Sequence, residues 1–284
     1  MSWVLFTLLA VNLWCISNII DKHVISKRLK NPATPMIICG VGSLVYSTVL
    51  FLFFKAAFSL PLVGLGLLYT LALLLYYKAL KIEEASQVIA LYSMTPIFVA
   101  ILAFILLGES FGIWKYIGII LIVIGAIIIS IGKGSGLKTK ILPLMLLITI
   151  LYASYNIALK HFTGDFGFLS VFAGTQFGLF LGALILLARQ RKVEKFSRRT
   201  AGLVLLSQVA GVLGLMSFIY AVSIGPVSLV SALENTQPLF LLVYVTLITM
   251  FHSHIIKEDI SRRPLFVKAL AIIIMALGAY LVSI

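Results

Sequence analysis

Acidic side chains are what this sequence has least of: nine Asp and Glu in 284 residues, with all charged residues together making up 11%. A soluble domain usually carries about 25% charged residues. With 62% of the chain hydrophobic, too little polar side chain remains to cover a water-facing surface, which excludes a soluble globular protein. Cysteine is almost absent as well. Cys15 and Cys39 both lie inside apolar runs and read as reduced side chains packing like small hydrophobes. No HExxH, Walker A, dinucleotide glycine motif or nucleophile elbow occurs, so no catalytic constellation or cofactor is expected and ATP is excluded as a driver within this chain. His252 and His254 form a lone H-x-H, which without further ligands is no metal site. No basic segment precedes Trp3, so the first apolar run is expected to be a retained helix rather than a signal peptide.

What is present is a series of apolar runs. A membrane span needs roughly 17 to 25 apolar residues, and ten segments qualify: 2–20, 34–54, 61–80, 86–107, 112–131, 141–160, 168–188, 200–222, 227–251 and 264–283. None of the connectors between them is long enough for a soluble domain. The expected fold is an all-α integral membrane protein of ten transmembrane helices. The net charge of +13 is therefore an orientation signal rather than a nucleic-acid footprint. Nineteen basic residues fall in the odd-numbered connectors and three (Lys55, Lys115, Lys160) in the others. The positive-inside rule then puts the odd connectors in the cytoplasm and both termini outside.

Three stretches recur in order. Leu13–His23 (LWCISNIIDKH) lies over Leu151–His161 (LYASYNIALKH) at an offset of 138. Ala79–Phe98 lies over Ala221–Phe240 at an offset of 142, and Gly118–Ser130 over Ala271–Ser283 at an offset of 153. The two copies, 1–132 and 138–284, hold five spans each. Five is odd, so the second copy enters the membrane from the opposite side. Such inverted repeats place a solute site near the bilayer midplane between the halves.

Each half has a proline-bearing fourth span, TPIFVAILAFILLGES at 95–110 and QPLFLLVYVTLITM at 237–250. In this, and in the two five-helix halves, the chain resembles the EamA branch of the drug/metabolite transporter superfamily. Gly108-Glu109 matches the GE pair usual there, while its second-half counterpart is replaced by Phe251-His252. The resemblance implies a secondary transporter with a cavity lined by helices 1, 3, 4, 6, 8 and 9. Relatives of this type are usually drawn with both termini in the cytoplasm. The basic-residue count gives the reverse, and the count is kept.

Glu234 is the sharpest candidate for chemistry. It sits about seven residues into the ninth span, roughly 10 Å below the helix end, where a carboxylate is costly unless it meets a cavity or a partner. A group placed to gain and lose a proton is what a proton-coupled carrier needs; the same carboxyl could bind a cationic solute, or serve as interhelical glue. Asn235 and Gln237 flank it. Pro238 is expected to free the Glu234 carbonyl four residues back, and Pro96 the Tyr92 carbonyl, marking both fourth spans as hinged or cavity-lining. Asn18 and Asn156 are equivalent under the repeat, and Asn12, Trp14, Tyr152 and Tyr155 share their helices. Rings beside amides suit a mixed polar and apolar pocket, against the plainer readings of interfacial anchoring and interhelical bonding. Gln176 and Gln208 are further lining candidates on weaker grounds. Lys22-His23 and Lys160-His161 close two spans and read as helix-dipole compensation or snorkelling. Glycines 174, 178, 182, 211 and 214 read as close-packing positions.

The expected function is movement of a small metabolite or amphipathic solute across the plasma (inner) membrane by alternating access, with protons as the candidate coupling ion. The alternatives are a flippase for a lipid-linked intermediate and a non-transporting membrane scaffold. The expected partners are the solute and the lipid bilayer, with no nucleic acid, in a monomer or homodimer.

Overall fold

The computed structural model describes residues 2–27, 33–82, 88, 91–130, 141–190, 197–251 and 262–284. The H-x-H pair and most basic connectors lie outside them. Among the described residues there are eleven helices and no strands: α1 Ser2–Lys27, α2 Ala33–Phe53, α3 Leu60–Ile82, α4 Thr95–Leu107, α5 Ile113–Ser130, α6 Leu142–Phe166, α7 Phe168–Gln190, α8 Arg198–Ile224, α9 Val227–Glu234, α10 Gln237–Phe251 and α11 Arg262–Ser283.

These helices are covered in apolar side chain rather than split into wet and dry faces. Val41, Val45, Val49 and Leu52 form an exposed ridge on α2, and Leu270, Ile273, Leu277 and Tyr280 another on α11. Water would penalise such ridges; hydrocarbon does not. Four segments (Ser2–Asp21, Leu142–Phe166, Phe168–Arg189 and Thr200–Ile224) are long and apolar enough to cross a membrane by length and composition, and five shorter apolar segments accompany them. The chain is a multi-pass membrane protein.

Glycine sets the closest approaches. Leu62, Gly66 and Thr70 of α3 meet Gly174, Gly178 and Gly182 of α7 in that order, so α3 and α7 run parallel in contact. On α1, Trp3 meets Gly225, Trp14 meets Gly214, and the Ser17 and Ser207 hydroxyls are 2.9 Å apart. Positions rise on α1 as they fall on α8, so that pair is antiparallel. The same holds for α5 and α11. A Cβ at Gly118 would lie 2.8 Å from the Gly278 carbonyl, one at Gly278 2.7 Å from the Gly118 carbonyl, and one at Gly125 3.0 Å from the Ala271 carbonyl.

Two expectations about continuity are corrected. The fourth and ninth spans are broken, not kinked. The chain turns at Ser93-Met94 and again at Asn235-Thr236, and Pro96 and Pro238 fall in the first turn of the helix that follows. Proline is well placed there, because its missing N–H would have no intrahelical partner anyway. The Tyr92 carbonyl is not left free: the Thr95 hydroxyl donates to it at 2.6 Å. Thr236 donates likewise to the Leu233 carbonyl at 2.7 Å, and the Asn235 N–H reaches the Ser231 and Ala232 carbonyls. These local bonds keep interrupted backbone satisfied where no lipid could do so. The connector expected at 161–167 is also shorter than expected. Helix α6 continues to Phe166, and Gly167, at φ 74°, alone makes the link to α7.

Candidate functional site

The broken fourth and ninth spans face each other. Asn235 Nδ2 donates to the Ser93 carbonyl at 2.7 Å, joining two residues 142 apart, which is the offset of the second sequence match. Tyr92 and Glu234, the residues just before each turn and also 142 apart, line one chamber of about 220 Å³.

Tyrosines form its wall. Tyr92 meets Tyr152 edge-on at 5.0 Å between ring centroids and Tyr76 at 5.6 Å; Tyr69 meets Tyr152 at 5.8 Å and Tyr155 at 5.1 Å. Such ring pairs contribute about 0.5–1.5 kcal/mol each beyond area burial. Trp14 and Phe218 close one side, with ring centroids 5.5 Å apart. Polar atoms enter from Asn18, Asn156, Glu234 and Gln237. Eight residues singled out from sequence therefore share one cavity: Trp14, Asn18, Tyr92, Tyr152, Tyr155, Asn156, Glu234 and Gln237.

Two others do not join them. Asn235 is committed to its bond with Ser93 and ties the two breaks together. Asn12 donates to the Leu8 carbonyl and accepts from the Tyr244 hydroxyl, tying α1 to α10. Both amides are used as glue between backbone segments and carry no part of the cavity lining.

A second chamber of about 250 Å³ adjoins the first across Trp14, Asn18, Tyr69, Leu73 and Leu215. Gln176 and Gln208 line it, and so does Asp21. Asp21 reads as a connector charge in the sequence. Helix α1 in fact continues past it to Lys27, and Asp21 accepts from the Ser207 hydroxyl at 2.5 Å.

The α8–α9 junction at Gly225-Pro226 is held by two charged side chains. Lys160 Nζ donates to the Val222 and Gly225 carbonyls, both at 2.9 Å, and to Ser223 at 3.4 Å, at the C-terminal end of α8. The dipole it compensates belongs to α8, not to its own helix as the sequence implied. The Glu109 carboxylate accepts from the Val227 N–H at 2.8 Å, the Ser228 N–H at 3.1 Å and the Ser228 hydroxyl at 2.5 Å. An acid at a helix start and a base at a helix end each complement the macrodipole. Gly108 makes the first contact possible: at φ 67° it ends α4 in the left-handed conformation, which glycine adopts without steric cost. His161, beside Lys160, pairs with Asp165 at 3.5 Å on the exposed side of α6.

A model described as the EamA-like transporter family matches residues 1–131. Those residues are similar to that family. No curated protein matches. Among solved structures, one crystal structure aligns with a TM-score of 0.78 over 99% of this chain and 96% of its own, at 14% identity. That likeness covers nearly the whole chain and speaks of fold alone. The match likens residues 1–131 to a family of membrane transporters.

Proposed function

We propose that the chain is a ten-pass secondary transporter made of two inverted five-helix repeats, 1–132 and 138–284, that moves a small metabolite by alternating access and couples that movement to protons at Glu234. One observation carries the reading. Tyr92 and Glu234, equivalent under the repeat, line a single chamber, and their neighbours Ser93 and Asn235, equally equivalent, are hydrogen-bonded to each other. Equivalent residues meet in this way where a two-fold axis passes between them. The antiparallel packing of α5 on α11 supports the same axis, because Gly118–Gly278 and Gly125–Ala271 exchange under the third sequence match.

An axis in the membrane plane relates the two faces of the bilayer. Pairs that should match under it are packed unequally: α3 lies closely along α7, whereas their counterparts α8 and α2 barely touch. Exchanging the tight and loose pairs would turn one access state into the other. The basic-residue bias puts both termini outside the plasma membrane. The scaffold alternative calls for a dry interior, and the polar chamber around Glu234 stands against it.

The test begins with a thermal-shift screen of metabolites on purified protein, since a ligand that binds the folded state raises its melting point. Uptake of the hit is then driven by a pH gradient in proteoliposomes. Glu234→Gln is expected to fold normally and to lose pH-driven uptake. Uptake by that variant equal to wild type would overturn the coupling role, and a screen answered only by lipid-linked intermediates would favour the flippase.

A further inference from the structure

The second chamber is not explained by a proton site at Glu234. Its Gln176 side chain is fully buried, and neither its amide oxygen nor its amide nitrogen has a hydrogen-bond partner among the described residues. Leaving two such groups unsatisfied costs the full desolvation of each. A buried amide of this kind, on the wall of a cavity, is a vacant recognition group. Asp21, Ser17 and Ser207 face the same space from α1 and α8, so a carboxylate and two hydroxyls share that wall with the amide.

The repeat adds a second argument. Under the 138 offset Trp14 corresponds to Tyr152 and Asn18 to Asn156, and all four line the first chamber. Asp21 corresponds to Leu159, which is fully buried in the apolar core. A carboxylate present in one copy and replaced by leucine in the other is not part of the shared scaffold. It is therefore free to serve a solute.

We propose that the Asp21 chamber is a separate solute subsite that takes a protonated primary amine, held by the Asp21 carboxylate and Gln176, while the apolar body of the same molecule lies against Trp14 and Tyr69 on the shared wall. A primary ammonium offers three donors and no acceptor, which matches the Asp21 carboxylate and the Gln176 amide oxygen on that wall. A ring or alkyl body suits the aromatic surface between the chambers. The carboxylate supplies charge-assisted bonds, about twice as strong as neutral ones, so the amine is recognised over an isosteric alcohol. This inference rests on the transporter reading for its purpose but not for its test.

The test uses equilibrium binding of radiolabelled 2-phenylethylamine to the full chain in detergent, with 2-phenylethanol and phenylacetate as competitors. Wild type is expected to prefer the amine over the alcohol by about tenfold or more and to ignore the acid. Asp21→Asn is expected to abolish the preference by weakening the amine alone. Should Asp21→Asn not fold, Gln176→Leu reads the same pocket and is expected to weaken amine and alcohol together by several-fold. Absence of amine binding in wild type overturns the subsite. A preference that survives Asp21→Asn, or amine binding untouched by Gln176→Leu, does the same, whether or not Glu234→Gln removes it. Counterflow of the labelled amine in proteoliposomes is scored separately: binding without movement leaves the subsite standing and removes the carrier.

Discussion

Replacing Glu109 with alanine should loosen the α8–α9 junction, by an amount that follows from its three bonds. The carboxylate receives two backbone N–H groups and one hydroxyl at the start of α9. Losing a side-chain cap costs about 0.5–2 kcal/mol, and a hydrogen bond to a charged group contributes about 1.5–3 kcal/mol. The three bonds share one carboxylate and are not additive, which places Glu109→Ala at about 2–3 kcal/mol. For a chain of this size that corresponds to a fall in melting temperature of about 5–10 °C. Glu109→Gln keeps one acceptor oxygen and should lose about half as much. Differential scanning fluorimetry in detergent measures both. If Ser228→Ala is combined with Glu109→Ala, the double variant should cost less than the two singles together, because the hydroxyl bond is lost in each. An alanine variant as stable as wild type, or a glutamine variant as damaged as the alanine, would refute the capping role.

Other outcomes follow from the same geometry. Lys160→Met leaves the Val222 and Gly225 carbonyls without their donor and should lower stability by about 1–2 kcal/mol, read by the same melting assay. Gly278→Val would push side chain into the Gly118 carbonyl and Ile122; overpacking of this kind costs about 1–3 kcal/mol, and chemical denaturation in micelles should show it. Asn235→Ala removes the tie to Ser93 and should destabilise by about 1 kcal/mol; full stability in that variant would deny the contact between the two breaks.

How far the sequence revealed all this varies with the kind of signal. Span limits were legible because lipid imposes a length and a composition, and α2, α3, α5, α7 and α11 fall within a few residues of the expected segments. That Trp14, Asn18, Tyr152 and Asn156 stand at matched positions could be read from the 138-offset sequence match, and all four line one chamber. The breaks at 93–94 and 235–236 could not. Proline signals a missing donor, but whether the helix bends or stops depends on local partners such as Thr95 and Thr236. Asp21 was hidden for a related reason. A charge at the end of an apolar run marks the run's edge in a hydropathy reading, whereas α1 carries on for another turn and a half and turns the carboxylate toward Ser207. The roles of Glu109, Asn12 and Asn235 are tertiary, set by which helix lies opposite, and no periodicity reveals that.

Access from both faces to one cavity is the claim on which the functional account stands, and thiol labelling tests it most directly. With Cys15 and Cys39 replaced by alanine, a single cysteine at Asn18, on the wall shared by the two chambers, can be challenged with a membrane-impermeant maleimide in right-side-out and in inverted vesicles. Labelling is expected in both orientations, each slowed by a bound solute. Labelling confined to one orientation under every ligand condition would contradict it.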